Sequence, residues 1–195
     1  MKKLSYLFMI ALAVYTFQGC HSAPKDGKQN ADSLNKSKDT SSDAAVTGSI
    51  GVNNDDAKFA TNAASGGMAE VALGNLAQQK SANQKIRDFG AMMVNDHSAA
   101  NAELRDMAKT KNISLPGDVS ADAQKKIDEL AKKSVKDFDE AYVDAMIDGH
   151  KKALKLFQDE AKNGTDADLK AFASKTVAVV QAHLQAINEI KAGMK

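Results

Sequence analysis

The stretch Ser81–Thr110, "SANQKIRDFGAMMVNDHSAANAELRDMAKT", decides the fold class. Its apolar residues return at intervals of three and four, the period of an amphipathic helix rather than of a strand. At roughly 100° per residue, Ile86, Gly90, Met93, Val94, Leu104 and Ala108 share one face, and His97 lies in the middle of it. Leucine would pack there with no polar atom to satisfy. An imidazole in such a place costs about 1–3 kcal/mol for each nitrogen left without a partner.

The same period extends to both sides. Long helices are expected over about 55–80, 83–111, 135–162 and 166–192, with a shorter one over about 120–132. The stretches "NISLPGD" (Asn112–Asp118) and "NGT" (Asn163–Thr165) interrupt the pattern, and Pro116 is the one proline in 55–193. Ser81, Ser134 and Thr165 each stand three residues before a side chain able to complete a capping box. Short connections make sequential helices antiparallel. The expectation is an all-α, up-down-up-down four-helix bundle with a short extra helix between its second and third helices. Residues 55–193 are enough for a real core.

The first residues read differently. "MKKLSYLFMIALAVYTFQGC" has two lysines, an apolar run and a small residue before Cys20, the only cysteine. That pattern is a secretory signal. The apolar run, Leu4 to Phe17, is short for a permanent membrane span. Gly19–Cys20 after it resembles a bacterial lipoprotein signal, which implies removal of 1–19 and a lipid on Cys20. Residues 20–54 are rich in Ser, Asp, Lys, Asn and Gly, without an apolar period. They are expected to be a disordered tether with a reach of roughly 30 Å. The chain is then a lipid-anchored protein of the bacterial cell envelope, facing the periplasm. The full chain carries a net charge of +1, and losing Lys2 and Lys3 with the signal brings it near −1. With no basic stripe and no Trp, nucleic-acid binding has no electrostatic footprint.

Each long helix places one ionisable group at the centre of its apolar stripe: Glu70, His97, His150 and His183. On the first helix Phe59, Ala63, Gly66, Leu73 and Ala77 flank Glu70, while Thr61 and Ser65 lie away from them. Val143, Met146, Ile147 and Phe157 surround His150, and Phe172, Val179, Val180 and Ile187 surround His183. A lone carboxylate in an apolar core costs several kcal/mol. Gathering the four groups answers this in one of two ways. One is a single transition-metal ion, with zinc, iron, copper and nickel suited to imidazole ligands. The other is a closed, metal-free hydrogen-bond network. Asp139, Asn101 and Thr176 also fall on inner faces, and Asp96 at a stripe's edge, where they could orient the ligands.

Glu70, Asp96–His97, Phe138–Asp139, His150 and His183, within "DAKFATNAASGGMAEVALGNLAQQKSANQKIRDFGAMMVNDHSAANAEL", "FDEAYVDAMIDGH" and "VVQAHL", resemble the exported bacterial family called domain of unknown function 4142. The resemblance implies a ferritin-like bundle and names no reaction. Ferritin-like di-iron proteins carry Glu-x-x-His pairs. Here Val94, Ile147 and Val180 stand three residues before the histidines, so a di-metal, oxygen-activating enzyme is the least favoured reading. A metal-storing, buffering or sensing bundle leads. A structural module that binds an envelope protein partner is its alternative.

Overall fold

The computed structural model describes residues 26–38 and 51–194. Cys20, the signal and the rest of the expected tether lie outside them. The elements are α1 (Gly27–Lys38), α2 (Asn54–Lys80), α3 (Gln84–Thr110), α4 (Ala121–Ala131), α5 (Val135–Asn163) and α6 (Ala167–Ala192). The four long helices, α2, α3, α5 and α6, form the bundle. Among the described residues none is long and apolar enough to cross a membrane.

Local chemistry sets the helix ends. Ser134 caps α5, accepting from the Asp137 amide while its hydroxyl donates to the Asp137 carboxylate. Two expected caps move. Asn83, not Ser81, caps α3, and Asp166, not Thr165, caps α6, because the Asn and Asp side chains reach the first free amides. Asn53 caps α2 and Ser120 caps α4 in the same way.

The core has two apolar layers. One joins the start of α2, the end of α3, the end of α5 and the start of α6. In it Phe59, Phe157 and Phe172 meet edge to face, with centroids 5.4, 6.4 and 6.0 Å apart. The other joins the end of α2, the start of α3, the start of α5 and the end of α6, and includes Leu130 of α4. These layers fix the helix directions as up, down, down, up. The expected up-down-up-down order is therefore corrected: α3 and α5 run parallel. The reason is the length of the link between them. Residues 111–134 contain α4, which carries the chain back along the bundle before α5 begins.

A second correction concerns the tether. Residues 27–38, expected to be disordered, form α1 against α2 and the link after α3. The docking is polar. The Asn35 side chain donates to the Ser114 carbonyl at 2.8 Å and accepts from its amide at 2.7 Å. Asp32 accepts from the Thr61 hydroxyl at 2.5 Å. Thr61 is thereby buried, and Ser65 is buried as well, although both sit off the apolar stripe of α2. Gly66 and Val179, expected in the core, are exposed.

The lower end is tied by Asp56, which accepts from the Thr165 amide, the Thr165 hydroxyl and the Asp166 amide. Beside it Glu160 is 7% exposed, and its Oε1 has no hydrogen-bond partner. Burial, reinforced by Asp56 and Asp166, pushes the Glu160 carboxyl from 4.5 up to about 7. The folded chain then holds a proton that the unfolded chain releases, so this group's contribution to stability falls as pH rises from about 4.5 through about 7. Glu160→Gln removes that loss. Denaturant melts at matched pH should show the variant gaining on the parent as pH rises, by about 1–3 kcal/mol at neutral pH and above. A constant difference across the range would contradict the assignment.

Candidate functional site

Glu70, His97, His150 and His183 lie between the two apolar layers. His97 is at the midpoint of α3 and His150 one residue past the midpoint of α5. Helix direction therefore does not alter their level, and the corrected topology still brings them together. Counted from the interhelical turns, Glu70 sits higher than His97 and His183 higher than His150. Side chains tilt toward the N-terminus of their own helix. On the upward α2 and α6 they lean down, and on the downward α3 and α5 they lean up, which closes both gaps.

One ring nitrogen from each of His97, His150 and His183 lies within 4.8 Å of the other two. All three rings are buried, His150 completely. His97 Nδ1 is 3.1 Å from Glu70 Oε2, and His150 Nδ1 is 3.6 Å from Glu70 Oε1. His150 Nδ1 is also 2.8 Å from the Met146 carbonyl. His183 Nε2 is 3.0 Å from Asp96 Oδ2. His150 Nε2 and His183 Nδ1 face each other at 3.4 Å.

Burial, with His183 and His150 nearby, holds the His97 imidazole down at about 3. Burial likewise holds His150 at about 4. Burial lifts the Glu70 carboxyl to about 8. At Asp96 burial pushes upward, but hydrogen bonds from His183 and Asn95 outweigh it and keep the group below the usual carboxylate range.

A neutral imidazole has one N–H and one lone pair, and the partners assign which is which. The Met146 carbonyl can only accept, so His150 carries its hydrogen on Nδ1 and its lone pair on Nε2. The Asp96 carboxylate accepts from His183 Nε2, so the lone pair of His183 is on Nδ1. With both rings neutral, the two nitrogens 3.4 Å apart are both lone pairs, with no proton between them. His97 turns Nδ1 to Glu70, and its buried Nε2 has no partner. The Met146 carbonyl and the Asp96 carboxylate hold His150 and His183 from outside, so each of these two rings directs a free lone pair inward, and the unpartnered Nε2 of His97 is buried beside them.

The other sequence candidates separate. Asp96 is the outer partner of His183 and half-buried. Glu70 stands behind His97 rather than among the inward nitrogens. Asp139 lies eleven residues before His150 and accepts from the Ser81 hydroxyl at 2.5 Å, holding the α2–α3 turn to the start of α5. It supports no histidine. Asn101 lies one turn below His97, packed against Gly67, where a Cβ would collide with its amide. The Thr176 hydroxyl donates to Phe172 O at 2.8 Å within its own helix.

Two neighbours escaped the sequence reading. The Phe89 ring lies 6.1 Å from His150 and 6.4 Å from His183. Tyr142 is fully buried, its hydroxyl has no partner, and burial with Glu70 close by raises its phenol. Phe89 precedes His97 by eight residues, and Tyr142 precedes His150 by the same interval. A spacing of about two turns puts each on its histidine's face.

The sequence model of the family described as "Domain of unknown function (DUF4142)" matches residues 25–190, and the chain belongs to that family. The matched span takes in α1. No curated protein matches the chain. Among solved structures, the chain is similar to a crystal structure of a DUF305 fragment from Deinococcus radiodurans. The identity is 11%, 71% of this chain and 96% of that one are covered, and the TM-score is 0.62. At that identity the likeness is one of fold.

Proposed function

We propose that this DUF4142 member binds a single transition-metal ion through His97, His150 and His183, as a bundle lipid-anchored at Cys20 to the bacterial cell envelope. Its use would be to store, buffer or sense that ion. One observation carries the reading: His150 Nε2 and His183 Nδ1, the lone-pair nitrogens when both rings are neutral, face each other at 3.4 Å in a buried site. Two lone pairs without a proton repel. A cation between them turns the repulsion into ligation. Two ligands with bonds of 2.0–2.1 Å at a tetrahedral angle lie about 3.3 Å apart.

The outer oxygens support the same reading, because metal-bound imidazoles characteristically donate their second N–H to a carboxylate or carbonyl. The Met146 carbonyl and the Asp96 carboxylate fill those places, and the Glu70 carboxyl would do so for His97 once metal binding releases its proton. Three imidazoles suit zinc, copper, nickel or iron and leave a further coordination position open. Glu70 is assigned to orienting His97.

The test uses the full chain without a metal-binding tag. Loaded with Zn²⁺ or Co²⁺ and desalted, it should retain one ion per chain, melt at a higher temperature, and lose both properties to EDTA. The Co²⁺ spectrum should lack a thiolate band, which sets Cys20 aside. A chain that retains no ion, and whose melting ignores zinc and chelator alike, would leave a hydrogen-bonded cluster that only specifies the core. Palmitate labelling lost in Cys20→Ser tests the anchor.

A further inference from the structure

A cavity of about 890 Å³ opens between α2 and α5, with α4 along its side, and reaches Glu70 and His97 at its inner end. That volume lies within the 300–1,000 Å³ of ordinary small-molecule sites. Ala and Gly together are the commonest of its lining residues, with Phe157 and Phe172 toward the lower layer. The exposed charged residues of the lining are Lys126, Lys133 and Lys152 against Asp122, Asp144 and Asp148, so the rim carries no net charge.

Two glycines bear on its use. Gly66 of α2 and Gly149 of α5 both line the cavity, and a Cβ built on either meets no atom within 4 Å. Glycine in a helix interior costs about 1 kcal/mol relative to alanine. The glycines at 67, 74 and 90 are explained by close approach, since a Cβ there would strike Asn101, Gly90 O or Gly74 O. Packing within the chain gives no such reason at 66 and 149. Two helices thus keep a wall bare where it borders the same space.

We infer that this cavity binds an uncharged, mainly apolar organic molecule whose one polar group meets the Glu70 carboxyl at the inner end. The balanced rim selects against a strongly charged occupant, and the Ala and Gly walls give an apolar body close contact. The Glu70 carboxyl at the inner end supplies the polar contact that fixes its orientation. This does not depend on a metal. A ligand there would approach the histidines from the side where His97 borders the cavity.

N-phenyl-1-naphthylamine is a suitable probe, being uncharged, apolar and equipped with one N–H. Titrated into the full chain, it should show saturable fluorescence enhancement at one probe per chain. Gly66→Leu and Gly149→Leu fill the wall from opposite helices, and each should weaken binding tenfold or more without lowering the melting temperature. No saturable binding, or binding that both variants leave unchanged, overturns the inference. Metal uptake is scored separately. A chain that takes zinc and ignores the probe fails this inference alone, and one that binds the probe and takes no metal fails only the metal reading.

Discussion

Gly90→Val forces α2 and α3 apart and should destabilise the chain by about 3 kcal/mol or more. A Cβ at Gly90 would lie 2.6 Å from Gly74 O, and a Cβ at Gly74 would lie 2.6 Å from Gly90 O. The contact is reciprocal and is made by backbone, which cannot rotate aside as a long side chain can. Behind Gly74 O stands the Ala77 methyl, 3.0 Å from the same added carbon. Overpacking costs about 1–3 kcal/mol where side chains can adjust and more where they cannot. Separating the hairpin also disturbs Leu73 and Met93 in the apolar layer above the histidines. Even Gly90→Ala should lose stability, although alanine is favoured in helices by about 1 kcal/mol. Gly66→Ala is the control and should gain, because its methyl group meets nothing. Urea midpoints measured side by side decide the matter. A Gly90→Val chain as stable as the parent would mean that α2 and α3 do not cross in backbone contact.

What could be read in advance follows from the two kinds of information a helical pattern holds. Period and caps mark where a helix runs. The segment expected over 83–111 is Gln84–Thr110, and that expected over 135–162 is Val135–Asn163. Angular position is legible as well, so the inward placement of Glu70, His97, His150 and His183 could be seen in the residues alone. Axial position across a bundle is not. Asp139 shares a stripe with His150, yet eleven residues of rise take it to another layer. The direction of α5 depends on how far α4 carries the chain, which no period encodes. The α1 helix left no apolar signal because it docks through Asn35 and Asp32, with Ala31 as its one buried apolar residue. The outer oxygens divide in the same way. Asp96 is a polar side chain beside a histidine and could be suspected, whereas the Met146 carbonyl is backbone and invisible to residue type.

The strongest separation of metal binding from folding should come from His183→Leu. The substitution keeps the volume of a buried side chain and deletes one of the three clustered ring nitrogens. It also removes the repulsion with His150 Nε2 across 3.4 Å. Asp96 loses its imidazole partner but is half-buried and can turn to water. The metal-free variant should therefore melt no lower than the metal-free parent. With metal the order reverses. An ion that binds only the folded chain stabilises it by RT ln(1 + [L]/Kd), about 2.7 kcal/mol at a hundredfold excess over Kd. The parent should gain that increment, and the variant, its affinity reduced a hundredfold or more, should gain almost none. A structural histidine would behave oppositely, since its loss would lower the melting temperature equally with and without zinc. Calorimetric melts of both chains, each with EDTA and with excess Zn²⁺, give the four values required. If the parent and His183→Leu rise together on adding zinc, the ion is held elsewhere and the three-histidine centre is refuted.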